Sequence, residues 1–259
     1  MTAPASDAPE DVLYIPDVAS TRFYLGALAL LSVLQYFVAE AAVIGAWAGP
    51  EPYSRRTGYI SDLGAVGCGV FDGRNVCSPA HLLMNASFVV QGVGMMVGAW
   101  LLSSALLCVA ARTGVRIQRR PGRRSPSRTA LAARLLSFTA GAGTVIVGLV
   151  PEDVGSGWHD AGAVMYFVAG ALALLLLGWL WVRQTALGWF ILVCGGVSLG
   201  AVITAGVTGL AVPEPGTLER LMGYPITVGM AAEGLVVAQR VRSSAVARQR
   251  ARSGATAQR

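Results

Sequence analysis

The sequence predicts an all-α protein, a bundle of six transmembrane helices, from its composition and from the length of its apolar runs. Of its 259 residues, 54% are hydrophobic and 13% are charged, whereas soluble domains carry about 25% charged residues. The mean hydropathy is +0.58. About 20 apolar residues cross the hydrocarbon core, since each adds about 1.5 Å to a helix. Six segments are long enough: about 22–48, 81–111, 129–150, 159–182, 187–212 and 221–240.

These helices form one transmembrane domain, 22–240, with a polar segment on either side of it. Residues 1–21 are acidic and rich in Pro and Ala, which predicts a flexible acidic tail. They lack the basic start of a signal peptide, and the apolar run that follows is longer than the roughly 7–15 residues usual in such peptides. Residues 241–259 are rich in Arg, which predicts a basic cytoplasmic tail.

Arginine indicates the side of the membrane on which each loop lies. The chain has 20 basic residues, all of them Arg, which indicates the high-GC genome of a bacterium. They concentrate in 112–128 and at the C-terminus, whereas the loops 49–80, 151–158 and 213–220 hold few. Because cytoplasmic loops carry the positive excess, we expect a multi-pass protein of the plasma (inner) membrane with both termini cytoplasmic. Arginines beside apolar segments favour membrane lipids, and not nucleic acid, as partners.

Four cysteines are present, and two of them share the first outward loop. In an oxidising compartment, two thiols as close in sequence as Cys68 and Cys77 form a small disulfide ring. We therefore expect a Cys68–Cys77 disulfide. Cys108 and Cys194 lie inside apolar runs and are expected to be small buried or lipid-facing side chains.

Mixed polar residues gather in the three outward loops and at the helix ends beside them. Ionisable side chains at membrane depth are costly and usually pair with one another or face water, so polar residues brought to one face of the bundle form a candidate site. The cytoplasmic end, in contrast, is nearly all Arg. The candidate outward polar site comprises Ser61, Asp62, His81, Asn85, Asp153, His159, Asp160, Glu219 and Arg220.

One chemistry open to this set is catalysis. Ser61, His159 and Asp153 supply the residue types of a nucleophile, a base and an orienting acid. Their spacing fixes no geometry, and no catalytic motif is complete, so we do not expect an enzyme. If the chain were one, it would be a membrane-embedded hydrolase or transferase acting on lipid.

Metal binding and ion pairing are the other two chemistries. His81, His159 and Asp153 are potential ligands, but they lack the spacing of a zinc motif such as HExxH. We therefore expect no metal and no cofactor. The remaining alternative is a network of ion pairs that holds loops against helix ends, for example Arg220 with Asp62 or Asp153.

Glycines recur in pairs inside the helices. Lipid tails are as apolar as leucine, so membrane helices associate through the close backbone contacts that small residues permit. We expect these glycines to pack helices of one chain together, while a homodimer or a membrane-protein partner stays open as the alternative. The pairs are Gly94 and Gly98, Gly141 and Gly143, and Gly196 and Gly200.

Short motifs in the outward regions resemble a known family. They are Ile60-Ser61-Asp62-Leu63-Gly64, Asn85, Pro151-Glu152-Asp153, His159 and Glu219-Arg220. In these motifs, over residues 20–240, the chain resembles the domain of unknown function 998 family, uncharacterised multi-pass membrane proteins of bacteria and archaea. The resemblance implies an outward polar site at these residues and supplies no activity. A more distant likeness to Frag1/DRAM-type membrane proteins suggests lipid handling.

Three functions compete, and the sequence leaves the substrate and the oligomeric state open. The preferred hypothesis is binding or handling of a lipid or lipid headgroup at the outward site, with Arg220 or His159 meeting a phosphate. A small transporter or channel is the first alternative, with Glu40, Gln91 and Glu233 as its deep polar residues. A non-catalytic membrane scaffold subunit is the second alternative. The first hypothesis predicts a polar pocket open sideways or outward, the second a continuous polar path, and the third no cavity and a large apolar or glycine-rich lateral patch.

Overall fold

The computed structural model describes residues 13–14, 18–112, 117–118, 127–154 and 157–257. In this part of the chain six helices are long and apolar enough to cross a membrane, which confirms the predicted all-α bundle of a multi-pass membrane protein. They are Thr21–Gly45 (span 1), His81–Leu101 (span 2), Arg128–Leu149 (span 3), Gly157–Trp181 (span 4), Ala186–Thr208 (span 5) and Pro215–Arg250 (span 6).

Spans 1 and 4 each contain a local change of helix type. Such changes leave backbone groups outside the regular α-helical ladder, and π turns in particular are frequent at functional sites. Span 4 brings its π turn, Met165–Ala169, to the middle of the bundle. The successive pieces are Thr21–Leu31, a 3-10 turn at Ser32–Leu34 and Gln35–Gly45 in span 1, and Gly157–Val164, the π turn and Gly170–Trp181 in span 4.

Two spans differ from the lengths expected from hydropathy. Span 2 ends at Leu101 instead of near residue 111, because the chain turns at Ser103, whose hydroxyl caps the short helix Ser104–Leu107. The last helix begins at Pro215 instead of near residue 221 and runs unbroken to Ala257. It therefore includes both the third polar loop residues and most of the basic tail. The predicted N-terminal tail lies almost entirely outside the described residues.

Close contacts at glycine hold the spans together. A Cβ built on Gly141 would lie 2.7 Å from the carbonyl oxygen of Gly92, which places spans 2 and 3 in backbone contact. A Cβ on Gly94 would lie 2.7 Å from the carbonyl oxygen of Ala29 in span 1. Gly98 and Gly143 are similarly enclosed. The prediction that these four glycines pack helices of one chain is confirmed.

The same prediction is wrong for Gly196 and Gly200 in span 5. A Cβ on either residue would meet no atom within 4 Å. Span 5 is also the least enclosed of the six, with 28% of its most apolar window buried. Both glycines therefore lie on its open face, where neighbours in the membrane would contact them.

The loop between spans 1 and 2 is described along its whole length. It contains a 3-10 helix, Ser61–Gly64, and an antiparallel hairpin of Gly69–Phe71 with Arg74–Val76. Asp72 and Gly73 form the hairpin turn with φ of 46° and 74°. The predicted disulfide is confirmed: Cys68 and Cys77 are bonded across the open end of the hairpin.

At the opposite end of the bundle the contacts are mostly apolar or through the backbone. Leu13–Tyr14 pairs in parallel with Ile117–Gln118. The indole of Trp181, fully buried, donates to the carbonyl oxygen of Leu107 at 2.7 Å. Cys194 is buried and Cys108 half-buried, both as free thiols, as predicted. Most of the Arg-rich segment 112–128 lies outside the described residues.

Candidate functional site

The loops that follow spans 1, 3 and 5 meet at one end of the bundle, which we call the polar end. The Asp153 carboxylate accepts the amide N–H groups of Val66 at 3.0 Å and Gly67 at 2.7 Å. An exposed ion pair joins Arg56 to Glu214. The expected convergence of the three polar loops is therefore present in the structure.

Arg220 is the most heavily bonded side chain of the polar end. It is 6% exposed, and its Nη2 donates to Glu40 Oε1 at 2.9 Å and to the Tyr53 hydroxyl at 2.7 Å. Its Nε donates to Glu40 and to the hydroxyl of Tyr224, which in turn donates to Glu40. Its Nη1 donates to three carbonyl oxygens, those of Arg55, Gly58 and Gly216.

These bonds change the role expected for Arg220. A guanidinium has five N–H donors, and all five are used, so none is left for the phosphate that it was expected to meet. Its ionic partner is Glu40 in span 1, and not Asp62 or Asp153. Arg220 lies about one turn inside span 6, so its side chain reaches the buried Glu40 of span 1. Glu40, one of the deep polar residues considered for a transport path, is therefore held in an ion pair.

Asp62 is paired with the hairpin instead. Arg74 donates to it from Nη2 at 2.9 Å and from Nε at 3.1 Å, and the Tyr59 amide donates to it at 3.0 Å. The same guanidinium bonds Asp72 at 3.1 Å and lies 4.3 Å from the centre of the Tyr59 ring. Arg74 therefore joins the disulfide-bonded hairpin to the 3-10 helix Ser61–Gly64.

Glu152 lies beside this pair and shares Arg74 with Asp62 at a longer distance. The pKa of its carboxyl is raised to about 8, chiefly by burial and then by hydrogen bonding to Asp62 and the charge of that residue, while a hydrogen bond from Ser61 and the charge of Arg74 oppose the change. Arg74 Nη2 lies 3.5 Å from Glu152 Oε1. At neutral pH Glu152 is therefore mainly the protonated acid that donates to Asp62. The candidate set omitted it, although it is adjacent to Asp153.

The residue types of a catalytic triad are present, but they are not joined as a triad. The Nδ1–H of His159 donates to the carbonyl oxygen of Val150 at 2.8 Å, and the Asp153 carboxylate is occupied by backbone amides. Ser61 bonds the carboxyl of Glu152. Among the described residues, then, the serine, the histidine and the aspartate each have a different partner.

Three further candidate residues have structural roles or lie apart. His81 Nδ1 bonds the carbonyl oxygen of Ser78 at 3.0 Å. The Asn85 amide donates to the carbonyl oxygen of Gly64 at 2.9 Å and so ties span 2 to the 3-10 helix. Asp160 is exposed. No group of three or more His, Cys, Asp or Glu in the described ranges has a metal-binding arrangement.

A cavity of about 50 Å³ lies beneath these loops, inside the bundle. It is bounded by spans 1, 2, 3, 4 and 6 and by the start of the 3-10 helix. Aromatic rings form much of its wall, and the π turn of span 4 contributes two of them. The polar side chains that line it are those of Tyr36, Ser61, Gln91, Thr144, His159, Tyr166, Glu219 and Thr227.

Two polar atoms in the cavity wall have no hydrogen-bond partner, the hydroxyl of Tyr36 and Oε1 of Gln91. Both residues are at least 97% buried, with 3% and 2% of their surface exposed. Burying a polar group without a partner costs roughly 1–3 kcal/mol, and such groups in native proteins call for water or a ligand. From the sequence alone, Gln91 was considered only as a deep polar residue of a transport path, and Tyr36 was not singled out.

The amide of Gln91 is held with its oxygen toward the cavity. Its Nε2 donates to the hydroxyls of Tyr166 at 3.1 Å and Thr227 at 3.0 Å. Tyr166 in turn donates to the carbonyl oxygen of Gly223 at 3.0 Å. In this orientation two N–H and two O–H protons serve the four contacts among Gln91, Tyr166, Thr227 and the Gly223 carbonyl oxygen. A flipped amide would leave two protons for the same four contacts, so the network favours Oε1 as the free atom. Polar residues at apolar depth in spans 2, 4 and 6 were the signal available in the sequence.

Glu233, the acid farthest along span 6 from the polar end, lies outside this cavity. It is 5% exposed, and none of the described residues forms an ion pair with it. Thr227 is the residue of span 6 that lines the cavity farthest from the polar end. The cavity and Glu233 are therefore separate polar features of span 6.

A comparison with protein families decides the relationship of the chain. The family model described as protein of unknown function DUF998 matches residues 99–236. The chain belongs to the DUF998 family. The matched region includes Asp153, His159, Glu219 and Arg220, whereas Ser61 and Asp62 precede it. No match to the chain was found among the curated proteins or among the solved structures.

Proposed function

We propose that this DUF998 protein binds a lipid headgroup in the cavity at its polar end. The observation that carries the proposal is the pair of unpartnered atoms, Tyr36 hydroxyl and Gln91 Oε1, in the wall of a cavity within the bundle. Polar groups at membrane depth are kept where they bind something or line a path. A polar cluster that closed on itself as an ion-pair network would have satisfied these atoms internally.

The size of the cavity suits the end of a headgroup and excludes a whole lipid. A water molecule needs roughly 10–15 Å³ of such volume, so about 50 Å³ holds a few waters or one small polar group. Ala163 lines the cavity and is itself half-buried, so the wall at span 4 is thin. A lipid in the surrounding bilayer would insert its terminal group there and keep its chains outside.

For orientation, we propose that the polar end faces away from the cytoplasm, in the plasma membrane of a bacterium. The support is the excess of Arg in 112–128 and beyond Arg240, which by the positive-inside rule stays in the cytoplasm. Fluorescent protein fused after Arg259 should then fluoresce, and alkaline phosphatase fused there should be inactive. An active phosphatase fusion would contradict this orientation.

Transport is the second candidate, favoured by one observation, the buried acid Glu233 without an ion-pair partner in the described part of the chain. A transporter would need its cavity to connect with that acid in another conformation. Uptake or efflux that depends on Glu233 but not on Gln91 would favour transport over headgroup binding.

The test of headgroup binding fills the cavity and compares the lipids that co-purify. Ala163→Leu places a larger apolar side chain at the cavity wall, and Ala161→Leu makes the same change two residues away on an exposed position of span 4. We expect native mass spectrometry to show one lipid class enriched with the wild type and with Ala161→Leu but lost with Ala163→Leu. Identical lipid profiles for three equally folded proteins would contradict the proposal.

A further inference from the structure

We propose that the group recognised in the cavity is a primary ammonium, and not a phosphate; this inference rests on the headgroup function proposed above. It follows from a count of the hydrogen-bond donors and acceptors that the wall leaves free. Phosphate requires donors and positive charge, whereas an ammonium brings three N–H donors and requires acceptors. The wall of the cavity offers acceptors.

No cation of the polar end is free to meet an anion in the cavity. Arg220 uses its five N–H groups on Glu40, two tyrosines and three carbonyl oxygens. Arg74 is bound to three acids, Asp62, Asp72 and Glu152. Arg55 and Arg56 are exposed and do not line the cavity. A phosphate inside it would therefore be buried without a counter-charge, which is strongly unfavourable.

Three free acceptors, in contrast, line the cavity, and the unpartnered hydroxyl of Tyr36 in the same wall can accept a hydrogen bond as well as donate one. The first is Oε1 of Gln91, whose orientation is fixed by its bonds to Tyr166 and Thr227. The second is Nε2 of His159: because Nδ1 bonds a carbonyl oxygen, which only accepts, the tautomer that this bond selects has its proton on Nδ1 and a lone pair on Nε2. The third is the Glu219 carboxylate. It accepts the amide N–H groups of Ile60 and Ser61, at the start of the 3-10 helix, and retains further lone pairs.

The charge in the wall also favours a cation. Glu40 and Glu219 are both buried, and the only buried guanidinium beside them in the described structure, Arg220, is bonded to Glu40. Glu219 has no ion pair of its own among the described residues. A buried carboxylate without a cation is costly, and a bound ammonium would offset that cost. Aromatic rings at Tyr36, Phe88 and Phe167 line the same cavity and attract cations through their faces.

The experiment compares lipids that differ only in the headgroup. Protein in detergent is incubated with dioleoyl phosphatidylethanolamine, phosphatidylcholine or phosphatidylglycerol, and bound lipid is counted by native mass spectrometry. Phosphatidylcholine has a nitrogen without N–H donors, and phosphatidylglycerol has no nitrogen. We expect the wild type to retain phosphatidylethanolamine at least about tenfold better than either, since hydrogen bonds to a charged group are worth that much.

Two variants test the acceptors, each against a matched control. Gln91→Met removes the free amide oxygen, and Glu219→Gln removes the charge but keeps an oxygen for the amide of Ile60. Gln184→Met is the control, because Oε1 of Gln184 is also buried and unpartnered but lies at the other end of the bundle. We expect the preference for phosphatidylethanolamine to vanish in the first two variants and to persist in the control. If one variant fails to fold, the other carries the test.

The outcomes separate this inference from the headgroup function. Equal retention of phosphatidylethanolamine and phosphatidylcholine, with both lost in Ala163→Leu, would overturn the ammonium while headgroup binding stands. No lipid affected by Ala163→Leu would overturn headgroup binding. In that case the ammonium could still come from a soluble amine. Free ethanolamine should then raise the melting temperature of the wild type but not that of Gln91→Met. No effect of ethanolamine would then overturn both.

Discussion

The guanidinium of Arg220 and the carboxylate of Glu40 join spans 6 and 1 across 180 positions of the sequence, with 2.9 Å between Nη2 and Oε1. Both side chains are at least nine-tenths buried. Buried ion pairs add little net stability, but removal of one partner leaves a charge that is neither solvated nor paired. The pair therefore holds the two spans in register at the polar end.

The first prediction follows from this pair. Arg220→Met should destabilise the protein by about 3–5 kcal/mol, because Glu40 is left buried with its charge unpaired. The double variant Arg220→Met with Glu40→Leu should recover a substantial part of that loss. Thermal unfolding in detergent measures both. Arg56→Met, which breaks an exposed ion pair, should leave the melting temperature unchanged, and an equal loss there would contradict the prediction.

The second prediction concerns the pH dependence of the polar end. Folded Glu152 keeps its proton up to about pH 8, whereas in an unfolded chain a glutamic acid releases it near pH 4.3, an approximate reference value. This stabilisation is therefore complete at low pH and is lost as the pH rises through about 8. Glu152→Gln stays neutral, so its melting temperature should rise increasingly above that of the wild type from about pH 5.5 to about pH 8, where the unfolded carboxyl is ionised and the folded one still holds its proton.

The control for this series is the exposed carboxyl of Glu214, whose pKa is lowered by hydrogen bonds from Arg56 and Thr217. Because it is already ionised across the same pH window, the difference between Glu214→Gln and the wild type should not change with pH. A flat difference for Glu152→Gln would show that Glu152 is ionised in the folded protein.

The third prediction concerns the hairpin disulfide. When protein from cells is denatured and alkylated without reductant, Cys108 and Cys194 should be modified, and Cys68 and Cys77 should be recovered as one bonded peptide pair. Their bond requires an oxidising compartment, so alkylation of all four thiols would contradict an outward polar end. Replacing both bonded cysteines with Ser should cost roughly 2 kcal/mol in stability, since the open loop gains entropy when unfolded.

The fourth prediction concerns the crossing of spans 2 and 3. Gly141→Ala places a Cβ 2.7 Å from the carbonyl oxygen of Gly92. This clash is with backbone, so it is relieved only if the two helices move apart. We expect a loss of about 1–3 kcal/mol from this overpacking, measured by thermal unfolding. Gly200→Ala is the matched control, because a Cβ there meets no atom within 4 Å. Equal stability of both variants would mean that the two helices separate without cost.

The amino-acid sequence by itself determined the membrane class, the six spans, the Cys68–Cys77 disulfide and the meeting of three polar loops at one end. These properties depend on hydropathy summed over a segment or on residues close together in the chain. Helix ends were less accurate: span 2 ends ten residues early because Ser103 caps a new turn. A hydropathy profile does not detect a capping hydroxyl, because a cap is a single hydrogen bond and not a property of a long segment.

Only the tertiary structure decided which polar atoms are paired and which are free. In the folded protein Arg220 pairs with Glu40, and Oε1 of Gln91 has no partner. Gly141 contacts span 2, whereas a Cβ on Gly196 or Gly200 would meet no atom within 4 Å. The physical reason is that a hydrogen bond depends on distances of about 3 Å between atoms. Residues 180 positions apart, such as Glu40 and Arg220, acquire such a distance only through the packing of the helices that carry them.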